Sequence, residues 1–239
     1  MVFLESLGIK GIWSRESPDL VVEKWERVIN TLRESIRCDL DAHDRLCRNE
    51  SGEEKILVRN FTGTIIILAE DEDPISLVPF ISSWVGSLFN YSLFEEGVML
   101  RGAISIGEYY YPEKMVLGPA IDDAVEWQSR ANWAGVILTP QASYGIHGHP
   151  LYPKLKESTD LVLPEYPVPM NIEGGERRMN LLTVGWPALH YGTTNLKRTP
   201  DEINDIIRKM SHIFSQHHIG MGEENKYRNT LDYVREIMN

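Results

Sequence analysis

Twenty consecutive residues, Ile75–Phe94, carry no charge and are mostly aliphatic or aromatic. A strand spans roughly 3–10 residues, so a run of this length predicts a helix. An uncharged helix of that composition is expected to be buried. Asp71–Pro74 opens the segment and Pro79 falls early in it. Serines and Asn90 interrupt it, so no apolar run reaches the ~18 residues of a membrane span and no membrane partner is expected.

The 239 residues suffice for one large domain. With 42% hydrophobic and 25% charged residues the composition is that of a globular protein, which excludes collagen, coiled coil and wholesale disorder. A net charge of −11 argues against a nucleic-acid partner. It leaves room for a nucleotide, whose charge a metal or a few local cations can meet. Cys38 and Cys47 have no CxxC spacing, which predicts a reducing compartment without a structural zinc site. The opening residues lack a basic n-region and a long apolar core, so a cytoplasmic location is expected.

On either side of the Ile75–Phe94 segment the periodicity alternates. Met1–Trp13 reads as a buried strand running into a loop. Ser17-Pro18 supplies an N-cap and an N1 proline for a long amphipathic helix carrying Leu20, Val21, Trp25, Val28, Ile29, Leu32 and Ile36. Lys55–Leu68, β-branched on both sides of Thr62-Gly63-Thr64, predicts a hairpin. Val98–Tyr111 reads as a strand pair or one long strand, Ala120–Trp133 as a helix and Gly135–Pro140 as a short strand. This order gives an α+β protein with a ferredoxin-like βαββαβ core over residues 1–145. Residues 146–239 form a strand and helix extension packed on the same domain. Its proline-rich start, His147–Gly175, is expected to be extended, and Arg178–Trp186 reads as a strand. Thr199-Pro200-Asp201-Glu202 is a capping box before an amphipathic helix, and Lys226–Met238 is a last short helix.

Glu5 is the first residue with chemistry. A carboxylate in mid-strand is costly unless it is paired, bound to a metal, or turned to solvent on an edge strand. The Gly8-Ile9-Lys10 turn after it offers backbone N–H groups and a cation for phosphates. Arg101 lies in Leu100–Glu108 beside Gly102, where a backbone can approach a ligand closely; its plainer reading is an ion pair with one of the many acids. His147 and His149 bracket Gly148 without a third metal ligand. His217-His218 suit a helix end. Tyr109–Tyr111 read as strand packing or an interface, and Trp84, Phe89 and Phe94 as core.

The segment FLESLGIK resembles the first-strand motif of the class III nucleotidyl cyclases, above all a bacterial branch related to the antiphage pyrimidine cyclases. RNFTGTIII, LRGAISIGE and LGPAIDDAVEWQ, followed by Trp133–Leu138, resemble that branch's later segments in the same order. The resemblance covers residues 1–145. It implies cyclisation of a nucleoside triphosphate to a 3′,5′-cyclic nucleotide with loss of pyrophosphate, two Mg²⁺ or Mn²⁺ ions, and a homodimer or a heterodimer with another cyclase-like chain. It places Glu5 in catalysis, Glu5 and the Ser6 carbonyl on metal, and Ser6, Gly8, Ile9 and Lys10 on phosphate; Arg101, from its place beside Gly102, is the cation expected to join Glu5 in catalysis. The second metal aspartate falls at Gly63, or at Thr64 if the hairpin slips by one, and neither is a carboxylate. Asp122 and Glu126 stand where the classical enzymes have a transition-state Asn and Arg. The alternative implied is a degenerate pseudo-cyclase that serves as a nucleotide-binding, regulatory or dimer-partner module.

Overall fold

The computed structural model describes residues 1–7, 16–42, 55–61, 63–111, 115–150, 152, 162–190, 198–217, 219–220 and 223–239. Gly8, Ile9 and Lys10 therefore lie outside the described residues, as do Trp13, Cys47 and His218.

The chain is a mixed α+β protein built on one five-stranded sheet. In order come β1 (Val2–Leu7), α1 (Pro18–Ala42), β2 (Ile56–Phe61), β3 (Thr64–Ala69), α2 (Pro74–Phe94), β4 (Met99–Ile104), α3 (Pro119–Arg130) and β5 (Val136–Leu138). The sheet order is β2-β3-β1-β4-β5, antiparallel except for the parallel β4–β5 pair. β1 is thus an interior strand, so Glu5 is not on a sheet edge. Strand alternation sends Val2 and Leu4 into the core, while Phe3 and Glu5 point to the opposite face.

α1 starts where the Ser17-Pro18 pair predicts, with Ser17 Oγ accepting from the Leu20 N–H at 3.4 Å. Val21, Val28, Ile29, Leu32 and Ile36 are buried at helical spacing, whereas Leu20 is exposed. α2 is the central helix. By length and composition it could cross a membrane, since its serines lower its hydropathy too little to exclude that. Instead it is wrapped by α1 and β4 and by elements of the C-terminal part. The hairpin closes between Phe61 and Thr64, and Gly63, at φ +86°, makes that tight reversal.

Several segments differ from expectation; among them, Arg178–Trp186 is strand only to Leu182, and Trp186 opens a helix. The Val98–Tyr111 stretch forms a strand only to Ile104; beyond it Tyr110 makes an isolated antiparallel bridge with Leu117. β4 ends where its partner runs out, Ile104 pairing with Val2 at the start of β1, and the Ser105 hydroxyl donates to the Ala120 carbonyl of α3 at 2.6 Å. His147 lies in a helix, α4 (Pro140–Gly148), because Thr139 caps that helix through the Ala142 N–H and Pro140 opens it.

The C-terminal part adds a hairpin, β6 (Glu165–Ile172) with β7 (Gly175–Leu182), then α5 (Trp186–Leu189), α6 (Pro200–Ser215) and α7 (Glu224–Met238). The Thr199–Glu202 capping box is present at the start of α6. Trp133 stacks on Tyr166 and meets Tyr233 edge-on, and Phe89 of α2 stacks on Trp186. All five rings are buried. β5 is covered on its outer side by the chain leaving β7, through a Thr183–Ile137 bridge and a Val184 N–H bond to the Val136 carbonyl.

Candidate functional site

Cross-strand register brings the predicted residues together at one end of the sheet. Glu5 sits directly opposite Thr64 on one side and Arg101 on the other. The Ser6 N–H donates to the Gly63 carbonyl at 2.9 Å, tying the hairpin turn to β1. Glu5, Thr64 and Arg101 share the face of the sheet away from α1 and α2, because residues paired across a ladder point the same way.

The Arg101 guanidinium donates to one oxygen of Glu5, from Nη2 at 2.8 Å and from Nε at 3.2 Å. Arg101 is the more enclosed partner: its side chain is 15% exposed, that of Glu5 40%. α3 crosses this face, burying Ala120, Ala124 and Gln128 at four-residue spacing. The Gln128 amide nitrogen approaches the same Glu5 oxygen at 3.5 Å, at the limit of a hydrogen bond. Its carbonyl oxygen is buried with no hydrogen-bond partner among the described residues.

Sequence reasoning singled out Asp122 and Glu126 on this helix, yet Gln128 is the α3 side chain that reaches Glu5. Glu126 is exposed and pairs with Arg130 at 2.6 Å, one turn along its own helix, so its charge is already answered. Gln128 had a legible signal: it continues the buried Ala120–Ala124 stripe, where a polar residue stands out. The space beside Gly102 also differs from expectation. A Cβ there would lie 2.3 Å from the Phe3 carbonyl oxygen, so the close approach is made by β1 and not by a ligand.

A two-cation centre needs paired carboxylates, and the described residues here do not fit one. Glu5 brings the carboxylate, already neutralised by Arg101; Gly63 brings no side chain and Thr64 a hydroxyl. Among the described residues no group of three or more His, Cys, Asp or Glu side chains could hold a metal. The His-x-His pair diverges as well, His147 toward Glu165 at 3.4 Å and His149 toward Asp73 at 3.2 Å. His217 sits at the end of α6 with its Nε2 on the Gly97 carbonyl at 2.8 Å.

A cleft of about 490 Å³ opens at the other end of β1, between Met1, Ala69, Leu77, Ile81, Ile104 and Tyr109. Met1 lies four residues from Glu5, roughly 13 Å along a strand, so the cleft is separate from the Glu5–Arg101 pair. Tyr109 donates to Glu70 at 3.0 Å; burial, then this carboxylate, push its phenol well above the usual tyrosine range. Tyr111 accepts from Arg59 Nε at 2.7 Å and lies under the guanidinium, 5.1 Å from ring centroid to Cζ. Of the three tyrosines, Tyr110 is the exposed one.

No protein-family model matches the chain, and no curated protein matches it. Among solved structures, the chain is similar to the catalytic core of a rhodopsin-guanylyl cyclase with converted specificity, crystallised in complex with ATPαS. That likeness has a TM-score of 0.42 and 10% identity, and covers 77% of this chain and 93% of that one. At this level it carries nothing about chemistry, which has to come from the side chains themselves.

Proposed function

We propose that this chain is a nucleoside-triphosphate-binding module on the nucleotidyl cyclase plan, with a ferredoxin-like core, that holds the polyphosphate with its own cations. One observation supports the reading above all. Residues from four separate segments, Glu5 and Ser6, Gly63 and Thr64, Arg101, and Gln128, meet at the end of β1 from which the sequence continues into Gly8, Ile9 and Lys10. The cyclase resemblance requires such a meeting of the β1, hairpin and β4 segments, which composition alone does not.

The same geometry favours binding over turnover. Moving a phosphoryl group depends on positioning and on charge placed against the transition state. Here the first carboxylate is held by Arg101 and no second one stands at Gly63 or Thr64. Cyclisation would need a carboxylate brought by a paired chain, whether a second copy or another cyclase-like protein. Apolar side chains open for such a pairing are Phe61, Tyr110, Met115 and Leu117, all exposed. The module is then a regulatory or dimer-partner subunit.

The test incubates the pure protein with each of the four ribonucleoside triphosphates, in EDTA and in Mn²⁺. Thermal stabilisation reports binding and chromatography reports cyclic products. Stabilisation without a cyclic product is expected. A cyclic product from the isolated chain would replace this reading with an active cyclase, and absence of stabilisation by every nucleotide would end it.

A further inference from the structure

We infer that Glu5 acts as an internal competitor for the anion and not as a cation ligand: it occupies the Arg101 fork until a polyphosphate displaces it. The inference rests on the nucleotide-binding reading above and adds how access to that site is controlled.

The contacts are one-sided. Both Arg101 nitrogens and the Gln128 amide converge on Oε2 of Glu5, and no hydrogen bond falls on Oε1 among the described residues. A paired fork would use both carboxylate oxygens and hold more tightly. Arg101 is also the enclosed partner and Glu5 the accessible one. Glu5 can therefore swing toward solvent at little cost, while Arg101 stays against the sheet with its donors exposed for a new acceptor. A phosphate oxygen arriving at the Oε2 position would take the two guanidinium N–H donors and the Gln128 amide N–H. Placed on the central strand between Thr64 and Arg101, a carboxylate with no second carboxylate opposite has more to offer a guanidinium than a metal.

The two roles for Glu5 predict opposite signs. As a metal ligand, its loss abolishes cation-dependent binding. As a competitor, its loss removes a half-exposed ion pair of about 1 kcal/mol, roughly a fivefold gain for the incoming anion.

Binding of inorganic tripolyphosphate and of a nucleoside triphosphate to the whole chain is measured by calorimetry in EDTA, for wild type, Glu5→Gln and Arg101→Met. About fivefold tighter tripolyphosphate binding by Glu5→Gln, with at least tenfold weaker binding by Arg101→Met, is the expected result. Equal or weaker binding by Glu5→Gln overturns the inference while leaving the nucleotide reading intact. Tighter tripolyphosphate binding with no nucleotide binding by any variant sustains the competitor role and overturns the nucleotide reading. No binding of either probe to any variant overturns both. Should Glu5→Gln not fold, Glu5→Asp, one methylene short of the fork, serves instead: a two- to threefold gain in EDTA is expected, and no gain overturns the inference.

Discussion

Replacing Gly102 by alanine probes the packing beneath the site at a single point. β1 and β4 run side by side with Leu4 opposite Gly102. An added Cβ would sit 2.3 Å from the Phe3 carbonyl oxygen, 2.6 Å from Leu4 Cδ2 and 3.2 Å from Leu4 Cα. The nearest atom is backbone in the middle of a ladder, so no side-chain rotation relieves the contact. The strands have to part until 2.3 Å becomes at least 3.0 Å, which stretches hydrogen bonds along Val2–Leu7. Overpacking of this kind costs about 3 kcal/mol or more. For a chain of this size that lowers the melting temperature by roughly 6–12 °C. Urea unfolding followed by circular dichroism measures it, as a fall in midpoint at unchanged slope. Gly145→Ala is the matched control. Its Cβ would meet Ile75 Cδ1 at an ordinary 3.5 Å inside α4, and alanine should stabilise the helix by about 0.5–1 kcal/mol. A Gly102→Ala protein within about 1 kcal/mol of wild type would refute the close β1–β4 approach.

Other predictions follow from individual contacts. Glu202 is held below the usual carboxylate range by the Thr199 backbone N–H, then by the Thr199 hydroxyl. Because its folded value lies below the unfolded one, its contribution is complete above the unfolded value and is lost as pH falls through the folded one. Glu202→Gln should flatten that part of a thermal-midpoint profile between pH 3 and 7, and an unchanged acid limb would contradict it. Thr199→Ala should cost about 1 kcal/mol in urea unfolding through loss of the cap to the Glu202 N–H. The Tyr233 hydroxyl, fully buried, donates to the Val184 carbonyl at 2.8 Å beside Thr183 Oγ1 at 3.1 Å. Tyr233→Phe should destabilise by about 1–3 kcal/mol, and a neutral result would mean that α7 does not bind the β7 exit through this bond.

The element order was legible over much of residues 1–138 and at the Thr199 helix, where the elements carry their own punctuation, but the helices Pro140–Gly148 and Trp186–Leu189 were not. Ser17-Pro18, Gly63, Pro74 and the Thr199–Glu202 box mark boundaries that need no distant partner. Glu5 stood out for a similar reason, since a carboxylate amid Phe3, Leu4 and Leu7 must have an answer elsewhere. The identity of that answer was less accessible. Arg101 and Gln128 are 96 and 123 positions away, and their pairing with Glu5 depends on register and on how α3 lies across the sheet. Gly102 misled for a related reason: a glycine signals a close neighbour without naming it, and here the neighbour is Phe3. Glu126 misled because its partner, Arg130, is local and removes it from the site.

The covering of β5 by Thr183 and Val184 gives the molecule a direction along its sheet. That flank has its backbone groups met by the chain itself, through Val136 and Ile137. At the opposite flank β2 has, among the described residues, β3 as its strand neighbour and no other. Among the described residues, the edge of the five-stranded sheet open to a foreign strand, whether from a partner or in aggregation, is therefore Ile56–Phe61. That short segment carries Arg59 clamped against Tyr111 and Phe61 open to solvent. Among the described residues, an added strand would lie against β2, where Arg59 stands in its way.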